Sequence, residues 1–367
     1  MADARMNAER RLALQELAAK QAIANVLAVH SRGVDRADLN LLASAYHAGA
    51  TVDYGFFSGP AAQLAEILAG AQTGQPVTLH RSGNMWIRPS GTRAVSESYV
   101  IAYLQSPGPE GGMQRLVGGR YLDTHEERDG QWRLVHRIYV MDWNINRAST
   151  VSWPAPAVAL GHFAPRGGQG AADAGRALLS LGAAHFDPGG DTNVSETVKL
   201  SNSQLDVVLS KQVLLELCMA YARAVDRADQ QLLASLFHED AVVVSGLVNG
   251  TGRKFAEEIV AHVTGNLQRC FHSVANFWFE VSGDRAVGES YVIATFTAGG
   301  KDSMVGGRYV DSFERRGGAW KFASRTFVTD WNMTHPSTFE SDGMYASLTT
   351  RGCFGPQDPV YKLWPRA

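Results

Sequence analysis

VGGRYLDTHEERDGQWRLVHRIYVMDWN, residues 117–144, returns as VGGRYVDSFERRGGAWKFASRTFVTDWN, residues 305–332, in a chain of 367 residues. Each copy is a pair of runs rich in Val, Ile, Tyr, Phe and Trp around a short turn (ERDGQ, RRGGA), the pattern of a β-hairpin. Upstream, SESYVIAYL (96–104) matches GESYVIATF (288–296), and GVDRADLNLLASAYH (33–47) matches AVDRADQQLLASLFH (224–238). The offset is 191 residues at Asp35/Asp226, 192 at His80/His272 and 188 at Arg137/Arg325. Such a period marks a duplicated domain, because solenoid repeats recur every ~20–50 residues. The expected units are residues 1–190 and 205–367, joined through a Gly/Pro/Ser-rich stretch around 165–204. Their tails also correspond, FAPRGG (163–168) standing against FGPQDP (354–359).

Within each unit helices precede strands. Ile23, Val26, Leu27 and His30 recur at helical spacing, as do Leu214, Leu217, Cys218 and Tyr221. That helix ends at VDRAD; LNLLASAYH and QQLLASLFH read as a second short helix, and AEILAGAQ and KFAEEIVAHV as a third. From about residues 77 and 270 onward the pattern becomes strands joined by hairpins. N-terminal helices gathered on one face of a curved antiparallel sheet give an α+β architecture, two cone-shaped barrels in tandem, each enclosing a pocket of small-molecule size.

Composition narrows the function. Lys and Arg total 34 against 36 Asp and Glu, a net charge of −2, so there is no basic field for nucleic acid. No apolar run of about 18 residues and no signal-peptide core occur, so neither a membrane partner nor export is expected and the location is read as cytoplasmic. Cys218, Cys270 and Cys353 are scattered, with no CxxC and no zinc spacing, so neither a disulfide frame nor a metal is expected. GGQGAADAG lacks the spacing of a dinucleotide-binding loop.

The candidate chemistry recurs in both units. Asp38 and Asp229 precede apolar helical runs and read as N-caps. Asp35 and Asp226 follow the buried valine of the first helix, at the core's edge, where an ionised carboxylate needs a partner. LHRSGNMWI (79–87) and FHSVANFWF (271–279) supply one in His80 and His272. If these segments are extended, Asn84 and Trp86, and likewise Asn276 and Trp278, share a pocket wall with the histidine. Arg137 and Arg325 in the closing strand share a mixed face with Tyr139 and Phe327; a pocket wall and a rim salt bridge are both open to them. Asp142–Trp143–Asn144 and Asp330–Trp331–Asn332 read as strand-end structure. His47 and His238 fall at the end of the second helix, and Glu97 and Glu289 on strands of unassigned face.

Together, a helix ending in a VDR aspartate, a later HxxxN, a GGRY strand and a closing W-x(4)-R-x(4)-DW strand resemble the SnoaL-like branch of the nuclear-transport-factor-2-like superfamily. The pattern is similar to its cofactor-independent lyases, dehydrochlorinases and dehydratases. The resemblance implies an Asp–His dyad, Asp35 with His80 and Asp226 with His272, an accompanying arginine, Arg137 or Arg325, and a tyrosine matched by Tyr221 where the first unit has His30. It further implies no cofactor, a bulky hydrophobic cyclic or diaryl substrate losing water, halide or a small carbonyl fragment, and a homo-oligomer. An isomerase or cyclase using the same base, and a non-catalytic ligand-binding protein, are the alternatives.

Overall fold

The computed structural model describes residues 2–76, 78–106, 112–149, 168–173 and 201–364. The first unit runs α1 (Ala2–Asp35), α2 (Leu39–Ser44), β1 (Tyr46–Asp53), β2 (Ser58–Pro60), α3 (Ala61–Gln72), β3 (Leu79–Ser90), β4 (Arg93–Ser106), β5 (Met113–Arg128) and β6 (Gln131–Ala148). The second repeats it: α4 (Asn202–Asp226), α5 (Gln230–Ser235), β7 (Phe237–Val244), β8 (Asn249–Thr251), α6 (Gly252–Asn266), β9 (Arg269–Ser282), β10 (Arg285–Ala298), β11 (Lys301–Arg316) and β12 (Ala319–Pro336). A last turn, α7, covers Val360–Leu363. Each unit is an α+β cone around one six-stranded sheet, ordered β2-β1-β6-β5-β4-β3 and β8-β7-β12-β11-β10-β9.

The paired aspartates of VDRAD divide as their positions suggest. Asp38 and Asp229 cap α2 and α5, accepting from the backbone N–H of Leu41 and Leu232 at 3.0 and 3.2 Å. Asp35 and Asp226 are the last residues of α1 and α4. Between them Ala37 and Ala228 take positive φ (50° and 52°), turning the chain so that the second carboxylate faces the next helix.

The sheets curve because their long hairpins carry bulges. In the first unit the β5–β6 register slips between Gly118 and Gly119 and between Thr124 and His125, and each slip bends the strand. Gly118 and Gly306 answer to the tryptophan of DWN: a Cβ there would sit 2.1 Å from the indole of Trp143 or Trp331. That contact is why GGRY and DWN recur together.

Two expectations about elements are corrected. His47 and His238 do not end a helix; they lie in β1 and β7, where each ring donates from Nε2 at 2.8 Å to a backbone carbonyl of the neighbouring hairpin, Glu126 or Glu314. Nor is the sheet wholly antiparallel, since β1 and β7 join β6 and β12 in parallel. Tyr46–His47 follow the helix without a Gly or Pro to mark the change, so the short runs beyond them were absorbed into the helical pattern.

The tails correspond in a different register from the one the sequence suggests. Gly170 N–H donates to Arg36 O and Gly355 N–H to Arg227 O. Asp173 and Asp358, three residues on, then reach the arginine just after their own unit's first helix, Arg36 or Arg227, and Asp173 also bonds Arg32. Residues 163–167 lie outside the described residues.

The domains pack unequally. Helix α4 and the C-terminal tail lie on the outer face of the first sheet, where Trp86, Leu122 and Val140 join one continuous apolar core with the second unit. At its centre the buried guanidinium of Arg120 donates to Glu97, Asp142 and Asp358 at 2.8–3.1 Å. Arg227 donates to Asp142 and Asp358 at 3.0 and 3.1 Å, and Arg223 to Glu97.

Candidate active site

In the second unit the end of α4 meets the start of β9. The Asp226 carboxylate accepts from His272 Nδ1 at 2.6 Å through one oxygen and from the His272 backbone N–H at 2.8 Å through the other. With the carboxylate as acceptor, Nδ1 carries the hydrogen and Nε2 is left as a base. Burial alone would raise the Asp226 carboxyl, but His272 and Arg227 hold it below the usual range, so it stays ionised.

The His272 ring lies on the wall of a cavity of about 510 Å³ enclosed by α4, α6 and the concave face of the sheet. Its lining is chiefly apolar, including Val225, Phe255, Ile259, Phe296 and Phe327. Tyr221 lines it too, stacked on Phe255 with centroids 6.0 Å apart and interplanar angle 9°. Burial pushes the Tyr221 phenol up to about 12, so it is a proton donor rather than a phenolate.

Arg325 does not line the cavity. It sits behind the ring of Tyr221, 4.0 Å from its centroid, and 4.2 Å from that of Tyr309, locked to Asp311 by hydrogen bonds of 2.8 and 2.7 Å. Its positive charge opposes the rise in the Tyr221 pKa. Of the two settings open to the arginine, neither a pocket wall nor a rim describes it: the salt bridge is fully buried and backs the tyrosine.

The first unit has the same dyad in a different setting. His80 Nδ1 lies 2.6 Å from Asp35 Oδ1, its backbone N–H donates to Oδ2 at 2.9 Å, and Thr78 Oγ donates at 2.8 Å. The interior beyond it is packed with Tyr46, Tyr54, Tyr121 and Tyr139, the last stacked on Tyr54. His30 is buried edge-on against Tyr46 and Tyr121; burial, then Arg137 and His80, hold its imidazole well below the usual pKa, so it is neutral. Arg137 is clamped by Asp123 at 2.7 and 2.8 Å under the Tyr121 ring. The tail of the second unit crosses this cone: Met141 N–H donates to Thr350 O, Gly352 N–H to Met141 O, and Tyr345 Oη to Asn146. In the second unit the equivalent positions, Thr329 and Thr334, line the open cavity.

Asn84, Trp86 and Trp278 are not pocket residues. Asn84 and Asn276 have positive φ (42° and 51°) at a bulge, which breaks the alternation and sends the following tryptophan to the outer face. Trp86 pairs with Glu97 there and lies against Trp364, ring centroids 4.4 Å apart and tilted by 46°, while Asn84 bonds the backbone of His272 and Val274 at 2.7 Å. Asn276 is exposed at the equivalent bulge and does not line the cavity, and Glu97 and Glu289 both face outward to an arginine.

The sequence reading passed over the carboxylates that clamp the arginines, Asp123 and Asp311, although GGRYxD repeats them. It also passed over Thr78 and Cys270, two residues before each histidine. Asp226, Cys270 and His272 offer donor atoms within 4.8 Å of one another. Two of those atoms already share the dyad hydrogen bond, and burial, then Asp226, keep the Cys270 thiol protonated, so a cation would have to displace protons from both.

Residues 15–138 and again 207–326 match the sequence profile of the SnoaL-like domain family. The chain belongs to that family, twice over. A gamma-hexachlorocyclohexane dehydrochlorinase of Sphingobium indicum is 27% identical over 134 residues, 35% of this chain and 86% of the relative. Among solved structures, LinA aligns at 27% identity over 37% of this chain and 95% of its own (TM-score 0.35). A putative scytalone dehydratase from Novosphingobium aromaticivorans aligns at 23% over 35% and 88% (TM-score 0.33). Each relative thus matches a span about the size of one SnoaL-like unit. Among the described residues no helix is long and apolar enough to cross a membrane.

Proposed function

We propose that the chain is a cofactor-independent lyase, and that its working pocket is the second SnoaL-like unit's. The observation that carries this reading is the dyad on the cavity wall: His272 held by Asp226 at 2.6 Å, beside an apolar space of about 510 Å³. Nε2 of His272 takes a proton from a carbon next to the leaving group. The C–H electron pair becomes the new double bond, and the leaving group departs with the electrons of its own bond; where formaldehyde is released, the proton comes instead from a primary hydroxyl, the O–H pair becomes the C=O bond of formaldehyde, the broken C–C bond supplies the double bond, and the leaving oxygen departs with the electrons of its own bond. Asp226 stabilises the imidazolium formed, and the apolar walls strengthen that attraction. Tyr221, with Arg325 behind it, gives a proton to a departing oxygen or a hydrogen bond to a departing halide.

The substrate class follows from the lining. A largely apolar cavity of this size suits a bulky cyclic or aromatic compound with one or two polar substituents. The dehydrochlorinase and dehydratase names of the relatives support elimination of halide or water. The first unit's packed interior and the tail across it support a structural rather than catalytic role there.

The test is product mass. Purified protein is incubated with chlorinated cyclohexanes, cyclic β-hydroxyketones and β-hydroxy diaryl compounds, and products are read by mass spectrometry. Loss of HCl, water or formaldehyde that disappears with His272→Ala and survives His80→Ala is expected. A product of unchanged mass would establish an isomerase instead, and substrate recovered intact after long incubation would establish a binding protein.

A further inference from the structure

The two units make a head-to-tail contact, and each half of that contact has an unfilled twin on the same chain. On the filled side, the outer face of the first sheet receives α4 and the edge of β9. Its twin, the outer face of the second sheet, is bare: Trp86 is 8% exposed and Trp278 60%, Tyr99 2% and Tyr291 46%, Trp143 2% and Trp331 41%. The polar centre is repeated as well. Arg308 donates to Glu289 and Asp330 as Arg120 does to Glu97 and Asp142, but it lacks the third carboxylate that Asp358 supplies to Arg120.

The other half is likewise duplicated. Arg223 on α4, Arg227 just after it and Asp358 of the tail form the group that meets the first sheet. At the end of α1, Arg36 faces Asp173 as Arg227 faces Asp358, and Arg32, with no sheet carboxylate to take as Arg223 takes Glu97, bonds Asp173 as well. Beside them is a cleft of about 260 Å³ between α1 and β3, lined by Ser31, Asp35, His80, Ser82 and Met85 among others. In the second unit the equivalent cleft is filled by Asn84, whose amide takes the backbone of His272 and Val274. Phe271 is fully buried at that contact, while its counterpart Leu79 is 57% exposed.

We propose that two copies of this chain associate through these twin faces, the second sheet of one on α1 and β3 of the other. In that contact Arg32 takes Glu289, Arg36 takes Asp330, Asp173 completes the carboxylate set around Arg308, and the Asn276 amide enters the cleft at His80 and Ser82. The arrangement is heterologous, so neither face is used up by a two-fold pairing with itself. An exposed apolar patch ringed by charges of matching sign is the form such a contact takes before it is filled.

The full-length chain and two charge reversals, Glu289→Arg and Arg32→Glu, test this by sedimentation velocity. Wild type is expected to assemble with concentration, and each variant to need roughly 100-fold more protein for the same degree of association, since like charges then face each other. In an equimolar mixture the second sheet of the Arg32→Glu chain meets α1 of the Glu289→Arg chain as in wild type, and the reverse contact has its charges exchanged, so the mixture is expected to assemble where neither variant does alone. A misfolded variant could not give that rescue. The exposed Trp278→Ser is expected to weaken assembly without affecting the circular dichroism spectrum. A wild type that stays monomeric at every concentration, assembly indifferent to both reversals, or a mixture that stays monomeric would overturn the proposal.

Discussion

Replacing Asp226 by Asn separates the chemistry of the dyad from its geometry. Both carboxylate oxygens are engaged, one by the His272 backbone N–H at 2.8 Å and one by Nδ1 at 2.6 Å. An asparagine that keeps its carbonyl on the backbone N–H must turn its NH₂ toward Nδ1. Nδ1 then becomes the acceptor and the ring hydrogen moves to Nε2, where it points at the substrate and leaves no lone pair to take a proton. In a hydrolase triad the same tautomer error costs roughly 10⁴-fold in kcat, or about 5 kcal/mol of transition-state stabilisation. A loss of similar size is expected here, with KM little changed because the cavity wall is intact. The assay is initial elimination rate followed by mass spectrometry, with thermal unfolding to verify the fold. Asp35→Asn is the internal control: it makes the same change in the first unit and is expected to leave the rate within about twofold, an effect well under 1 kcal/mol. A rate for Asp226→Asn within tenfold of wild type would refute the dyad reasoning, and a collapse with Asp35→Asn alone would move the chemistry to the first unit.

Tyr221→Phe keeps the stack on Phe255 and removes only the hydroxyl; it is expected to lower kcat roughly 10²-fold for an oxygen leaving group and less for a halide, since removing one such donor costs about that much. Asp358→Ala leaves the buried Arg120 short of a carboxylate and is expected to cost about 3–5 kcal/mol in urea unfolding, because an uncompensated buried charge remains. His125, buried against Ser96, has its pKa lowered to about 4 by burial, partly opposed by Asp123. As pH falls below the unfolded value of about 6.5 the unfolded chain takes the proton first, so stability drops through pH 6.5–4, by about 2 kcal/mol at pH 5 from this group. His125→Phe, the residue the second unit carries as Phe313, is expected to remove that share of the acid lability in denaturant titrations at pH 7 and 5.

Much of the second unit's candidate site is legible in the sequence. Asp226 and His272 stood out because each repeats at nearly constant offset, and a carboxylate leaving a buried helix face needs a partner. Asn84 and Trp86 misled because the alternation rule holds only for an unbroken strand, and a single positive φ at Asn84 reverses every side chain beyond it. Arg325 stands out by its repetition, but its place behind Tyr221 depends on Asp311, its cross-strand partner on β11, a pairing set by the register of the hairpin.

By itself the sequence determined that the chain is a duplication, that each copy is a helix-then-sheet cone, and which residues recur as a dyad. Those follow from period, offset and local pattern, which are properties of the string. Only the tertiary structure decided that the two copies are unequal. Whether a cone is open or filled depends on Tyr54, Tyr139 and a tail some 200 residues away converging on one space. Whether a sheet face is core or surface depends on which helix lies against it, so Trp86 and Trp278, alike in sequence context, are buried in one unit and bare in the other.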